Sequence, residues 1–199
     1  MSSRIPSLPK EELNDEQQEF FDWFIASVKK KAPHPGAAER ASKTLFPVLA
    51  VIPDVGKLSV DLLARLEDNT PQLPAYARET AALYTTTYFK SAYVTKIHSM
   101  NAVKLELLTQ AQADTITAGE KPEDLDQERS LAYDIAEHLL AVRGPLSDAL
   151  YDRGLEVFGR EGIVALMHLV SLMAWTAMGL NVADVPPPQP PAKESSDSK

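Results

Sequence analysis

LPAYARETAALYTTTYFKSAYVTKIHSMNAV, residues 73–103, has the pattern of two consecutive helices. In the first, Glu79, Ala82, Leu83 and Thr86 fall at i, i+3, i+4 and i+7 and share one face. A carboxylate on so apolar a stripe requires a partner or a shifted pKa. In the second, Ser91, Val94 and His98 line up in the same way, with Tyr93 and Ile97 beside them. A lone helix histidine is usually a satisfied core or surface group, and a single glutamate is usually solvated. Spacing alone leaves both readings open.

On the N-terminal side, Asn69-Thr70-Pro71 is a turn, and Pro74 suits the first turn of the helix that follows. Pro53-Asp54 opens a helix to about Asp68, and Leu45 to Ile52 is a short apolar stretch leading into it. Residues from Lys10 to Lys31 predict a first helix. Leu13, Phe20, Phe21, Phe24, Ile25 and Val28 give it an apolar side, with acids early and lysines late as the helix dipole prefers. Lys29-Lys30-Lys31 is the only basic run and reads as a solvated helix end. Pro33-His34-Pro35-Gly36 closes the helix and leaves His34 in an exposed loop.

On the C-terminal side, Thr109-Gln110-Ala111-Gln112 has the form of a capping box and opens a short helix that stops at Gly119. Glu120 to Asp126 is an acidic linker rather than a metal site, because Lys121 and Pro122 interrupt it. Leu131, Ile135, Ala136, Leu139 and Val142 keep helical period, with His138 on the inner side. Arg143-Gly144-Pro145 ends that helix, Ser147 before Asp148 caps the next, and Gly159 separates it from the last. Gly162 to Ala183 carries no formal charge and is apolar on all sides. About twenty such residues can span a bilayer. Its His168, Ser171, Thr176 and Asn181 and the lack of a basic flank favour a core helix, or one shared between subunits, over a membrane span. Pro186 to Lys199 is a Pro-rich, then polar tail expected to be disordered. No strand alternation emerges. The chain is expected to be all-α, with one helical domain over 1–185 and the tail over 186–199.

The chain has 199 residues, enough to bury a sizeable core, with 44% hydrophobic and 24% charged residues in an ordinary globular balance. A net charge of −8 without a basic stripe argues against nucleic acid as a partner. Cysteine is absent, which excludes disulfides, thiolate catalysis and Cys-ligated metals. MSSRIPSLPKEEL has no apolar core of the secretory kind, so a cytoplasmic location is expected. There is no Gly-rich phosphate loop and no Gly-x-Ser-x-Gly elbow.

The 73–103 stretch resembles the carboxymuconolactone decarboxylase and alkylhydroperoxidase-D-like superfamily. The pattern there is Arg-Glu opening a helix, then a twelve-residue step to Cys-x-x-Cys-x-x-x-His or Cys-x-Tyr-Glu-Trp-x-x-His. Arg78-Glu79 matches the opening, and Ser91-Ala92-Tyr93-Val94-Thr95-Lys96-Ile97-His98 stands twelve residues on. Glu, Tyr and His are in step; Ser91 and Val94 hold the two cysteine positions, and Thr95 stands where the decarboxylase pattern has Trp. Pro53-Asp54, Ser147-Asp148-Ala149 and the Phe158-Gly159 step extend the likeness to the decarboxylase branch up to about Val185.

The resemblance implies a bundle of about seven to eight helices, assembled as a trimer, hexamer or dimer with the apolar last helix packed inside. Without its cysteine pair the chain cannot run the thiol cycle of the peroxidase branch, and a hydroxyl at Ser91 has no redox ladder. The decarboxylase branch needs neither thiol nor cofactor. Its chemistry suits a small carboxylated lactone or an aromatic or polyketide-derived acid. Loss of CO2 leaves an enolate to stabilise and protonate, for which His is the natural acid and a phenol a natural donor. His98 is thus the expected general acid/base and Glu79 its partner or a second base. Tyr93, Ser91, Val94 and His168 are the expected substrate-binding groups. Dehydration, isomerisation or ring closure would use the same parts. A metal site is not expected from two ligands. The competing reading is a catalytically silent binder of a small apolar ligand, or a structural oligomer.

Overall fold

The first helix begins where side-chain oxygens take up backbone N–H groups that have no partner within the helix. Asn14 Oδ1 accepts from the Gln17 N–H at 2.9 Å and Gln17 Oε1 accepts from the Asn14 N–H at 3.1 Å, a reciprocal cap. So α1 spans Asp15–Lys31, and among the described residues only a single 3-10 turn, Lys10–Glu12, precedes it. The computed structural model describes residues 3–31 and 35–188; His34 and the tail from Gln189 onward lie outside them. The remaining helices are α2 (Ala37–Leu49), α3 (Pro53–Asn69), α4 (Ala75–Tyr88), α5 (Ala92–Lys104), α6 (Gln110–Thr117), α7 (Gln127–Glu137) and α8 (Asp148–Ala183). The described residues contain no strand. The architecture is an all-α, single-domain bundle.

One helix was not legible in the sequence. Leu45 to Ile52, read as a short apolar stretch, is largely the second half of α2, which carries Pro47 inside it. A proline in a helix interior removes one backbone donor and disfavours the helix. Here burial outweighs that loss: Phe46 and Leu49 pack with Phe20 and Phe24 of α1. The Phe46 ring lies 5.4 Å from Phe20 and 5.6 Å from Phe24, and each fully buried ring contributes about 1.5–3 kcal/mol. The corner into α3 is tight. A Cβ added at Gly56 would stand 2.5 Å from the Leu49 carbonyl oxygen.

Helix α4 is the centre of the second half, packing against α5, α6, α7 and α8. Ala77, Ala81 and Ala82 let the neighbours approach, and Leu83, Thr80, Thr85 and Thr86 are buried around them. The hydroxyls of Thr80 and Thr85 are satisfied inside the helix, donating to the Tyr76 and Ala81 carbonyls at 2.8 and 2.7 Å. Buried polar groups need such partners. Thr109 and Gln112 form the capping box at the start of α6. Ser147 Oγ accepts from the Leu150 N–H at the start of α8.

Beyond α7 the chain widens into an i→i+5 turn over His138–Val142. His138 is half-exposed there, and its Nε2–H donates to the Pro145 carbonyl at 2.8 Å, so it holds the turn. Gly159 breaks α8 with φ 65° and ψ 177°, a conformation other residues avoid. After the break, the most apolar window of α8 is 56% buried inside the fold, as a core helix is. It is long and apolar enough to cross a membrane by length and composition alone.

Candidate functional site

Phe89, Lys90 and Ser91 join α4 to α5 in a tight hairpin. Lys90 takes a left-handed φ of 52°. Its N–H donates to the Thr87 carbonyl at 2.8 Å, and the Ser91 N–H to the Thr86 carbonyl at 3.1 Å. These bonds close the end of α4 in the usual manner of a helix C-terminus. Asn181 of α8 donates its Nδ2–H to the Phe89 carbonyl at 2.8 Å and ties the hairpin to the last helix. Glu79 is ten residues before the turn and His98 seven after it. At about 1.5 Å of rise per residue the two stand within about one helical turn of the same height.

They meet. His98 Nδ1 lies 2.8 Å from Glu79 Oε1. The two side chains are only 20% and 17% exposed. Burial pulls the imidazole's pKa down, but the Glu79 charge and hydrogen bond, with Glu67 beyond, outweigh it and hold His98 above its ordinary value. Because Nδ1–H donates to the carboxylate, Nε2 is the nitrogen left for chemistry. No described residue hydrogen-bonds it.

His98 lines a cavity of about 190 Å³ between α2, α5 and α8. Tyr93, Val94, Ile97 and Asn101 of α5 share that wall; Leu45 of α2 and Met173, Thr176 and Leu180 of α8 form the apolar sides. Arg40 of α2 also faces in. Thr44 Oγ1 lies 2.7 Å from both the Arg40 carbonyl and the Tyr93 hydroxyl. It has one proton to give, so the phenol can serve as the other donor. Burial pushes the Tyr93 phenol up, and Thr44 and the Arg40 charge only partly offset this, so the group stays protonated at neutral pH.

The sequence-derived residues divide. Tyr93, Val94 and His98 line the cavity, and Glu79 stands behind His98. Ser91 does not reach it. At the closed end of the hairpin it is 1% exposed, and its Oγ has no hydrogen-bond partner. His168 is a correction too: it is exposed on α8, on another side of the helix from Met173, Thr176 and Leu180. An evenly apolar helix gave no means of telling its inner face from its outer one. Arg78 turns away and donates to the Leu73 carbonyl at 2.7 Å. Arg40 and Asn101 were missed. The signal for Arg40 was its place on the Ala37–Ala41–Leu45 stripe, legible only once α2 is known to be a helix. No group of three or more His, Asp or Glu residues that could hold a metal occurs among the described residues.

These helices and the α4–α5 hairpin define an alkylhydroperoxidase-D-like fold. One solved structure that shares it is described as an alkylhydroperoxidase AhpD core, an uncharacterized peroxidase-related protein from Ralstonia eutropha JMP134. The two superpose with a TM-score of 0.75 at 17% identity, covering 95% of this chain and 94% of the other. No family model and no curated protein matches the sequence.

Proposed function

We propose that the cavity between α2, α5 and α8 carries out a cofactor-free, decarboxylase-like lyase reaction on a small carboxylated lactone or an aromatic or polyketide-derived acid. The Glu79–His98 pair carries this reading: a carboxylate fixes the tautomer and orientation of an imidazole that lines the cavity. When the substrate's carboxylate leaves as CO2, the bonding electron pair passes into an enolate. His98 Nε2–H then protonates carbon, Glu79 stabilises the imidazolium beforehand, and solvent restores the proton afterwards. The Tyr93 phenol, whose one proton is directed at Thr44 Oγ1 in the free protein, would turn that proton to the developing oxyanion when substrate binds. Peroxidase chemistry, suggested by the neighbour's description, would need another reductant here, since the chain has no thiol. Ser91 is no substitute nucleophile, because no base contacts its hydroxyl.

The test is incubation of the purified protein with a panel of small carboxylated lactones and aromatic acids, following CO2 and product mass. Turnover abolished in His98→Ala and His98→Gln, with both variants folded by circular dichroism, is the expected result. Ligand-induced thermal stabilisation without any change in substrate mass would replace the lyase with a silent small-molecule binder.

We also propose that a second copy of the chain covers the outer face of α8. Val164, His168, Ser171, Trp175, Met178 and Val182 repeat at alternating steps of four and three, the spacing of a coiled-coil seam, and all are exposed. Val55, Leu58 and Leu62 continue the apolar face on α3 beside it. Val51, Ile52 and Met167 are exposed as well and extend the patch. Sedimentation of the wild type above monomer mass, reduced to monomer in Met178→Glu, is the expected outcome. A monomeric wild type refutes the assembly.

A further inference from the structure

We infer that Arg40 is the anion anchor of the His98 cavity, so that the ligand is a compact monocarboxylate held by Arg40 with its apolar body against Leu45, Met173 and Leu180. The inference rests on the cavity being the substrate site. Its starting point is a half-buried arginine that has the neutral Tyr93 phenol beside it but no counter-ion among the described residues. Among the described residues Arg40 forms no salt bridge. Its sequence neighbour Glu39 is engaged elsewhere, 2.7 Å from Lys43 Nζ on the solvent side of α2. Partly removing a charge from water without an opposite charge is costly, and a bound carboxylate would offset that cost.

The position is specific. Arg40 lines the same cavity as Tyr93 and His98, and it is near enough to Tyr93 for its charge to act on the phenol. The chain as a whole carries a net charge of −8, so its overall field repels an anion, and a local cation has to do the attracting. A planar guanidinium suits a carboxylate because it can donate two parallel hydrogen bonds. The rest of the lining is mostly apolar, with Asn101 and Thr176 as further polar groups. The volume of about 190 Å³ lies below the roughly 300–1,000 Å³ usual for drug-sized ligands, which limits the occupant to about one ring with its carboxylate.

The experiment uses the full chain, with benzoate and 2-furoate as probes and benzamide and 2-furamide as their neutral counterparts. Affinities are measured by calorimetry for wild type, Arg40→Gln, Arg40→Lys and His98→Gln. The acids are expected to bind better than the amides. Arg40→Gln is expected to weaken acid binding about 10- to 100-fold and to erase the acid–amide difference. Arg40→Lys should restore part of it, and His98→Gln should keep most of it. Equal binding of acid and amide by the wild type overturns the inference. So does unchanged acid affinity in Arg40→Gln, or failure of every carboxylate to bind. Arg40-dependent binding without turnover of any substrate would remove the lyase reading and leave the anchor standing. Turnover with an unchanged KM in Arg40→Gln would do the reverse.

Discussion

Two hollows sit back to back in this fold with Thr176 in the wall of each. The larger, about 260 Å³, is lined by Val48, Val51, Ile52, Val55, Trp175 and Val182 among others and is almost wholly apolar. The smaller, about 190 Å³, holds Arg40, Tyr93, His98 and Asn101. Space alone would favour the first. Convergent polar groups favour the second, because only there do a charge, a phenol and a titratable imidazole meet on one volume. The apolar hollow opens onto the outer face of α3 and α8, the exposed face proposed above to meet a second copy of the chain.

The comparison breaks most decisively at His98. His98→Ala is expected to lower kcat by about 10²–10⁴-fold with the fold intact, measured on whichever acid the panel shows to be turned over. An active His98→Ala would take the chemistry out of the smaller hollow. Glu79→Gln should act less strongly, on the order of tenfold or more, and should also shift the pH profile. Without the carboxylate, burial governs His98, so the loss of activity on the alkaline side should move to lower pH. An alkaline limb that stays in place would show that Glu79 does not set the imidazole's state.

The same pair makes stability depend on pH. His98 has a raised pKa in the folded protein. Its contribution is therefore complete below the unfolded value of about 6.5 and is lost as pH rises through the folded value. Melting temperatures from pH 5.5 to 8.5 should fall more for the wild type than for His98→Gln, and parallel curves would contradict the coupling. The smallest catalytic effect belongs to the other side of the comparison. Met178→Glu, outside both hollows, should leave kcat within about twofold while changing the sedimentation coefficient. A large loss of kcat would mean that the outer face takes part in the site.

What the sequence disclosed follows the range of the forces involved. Glu79 and His98 could be picked out because helical spacing is local, and the Thr109–Gln112 cap because four residues contain it. Ser147 and Gly159 were legible for the same reason. Helix α2 was not, since Pro47 argues against a helix and only distant Phe20 and Phe24 override it. With α2 went Arg40, whose meaning depends on two other helices. His168 failed for the opposite reason. Its helix has two apolar sides, and only packing tells the one turned inward from the one left exposed.

The short link at Phe89–Ser91, fixed to α8 by Asn181, sets a rule about editing this gene. Each residue added to or removed from an α-helix turns everything beyond it by about 100°. One codon inserted into α5 ahead of His98 would swing the imidazole from Glu79 toward a different neighbour, whereas a change of letter at Ser91 or Val94 keeps the phase. The number of residues between Glu79 and His98 is therefore held more tightly by this geometry than the identity of the side chains at Ser91 and Val94.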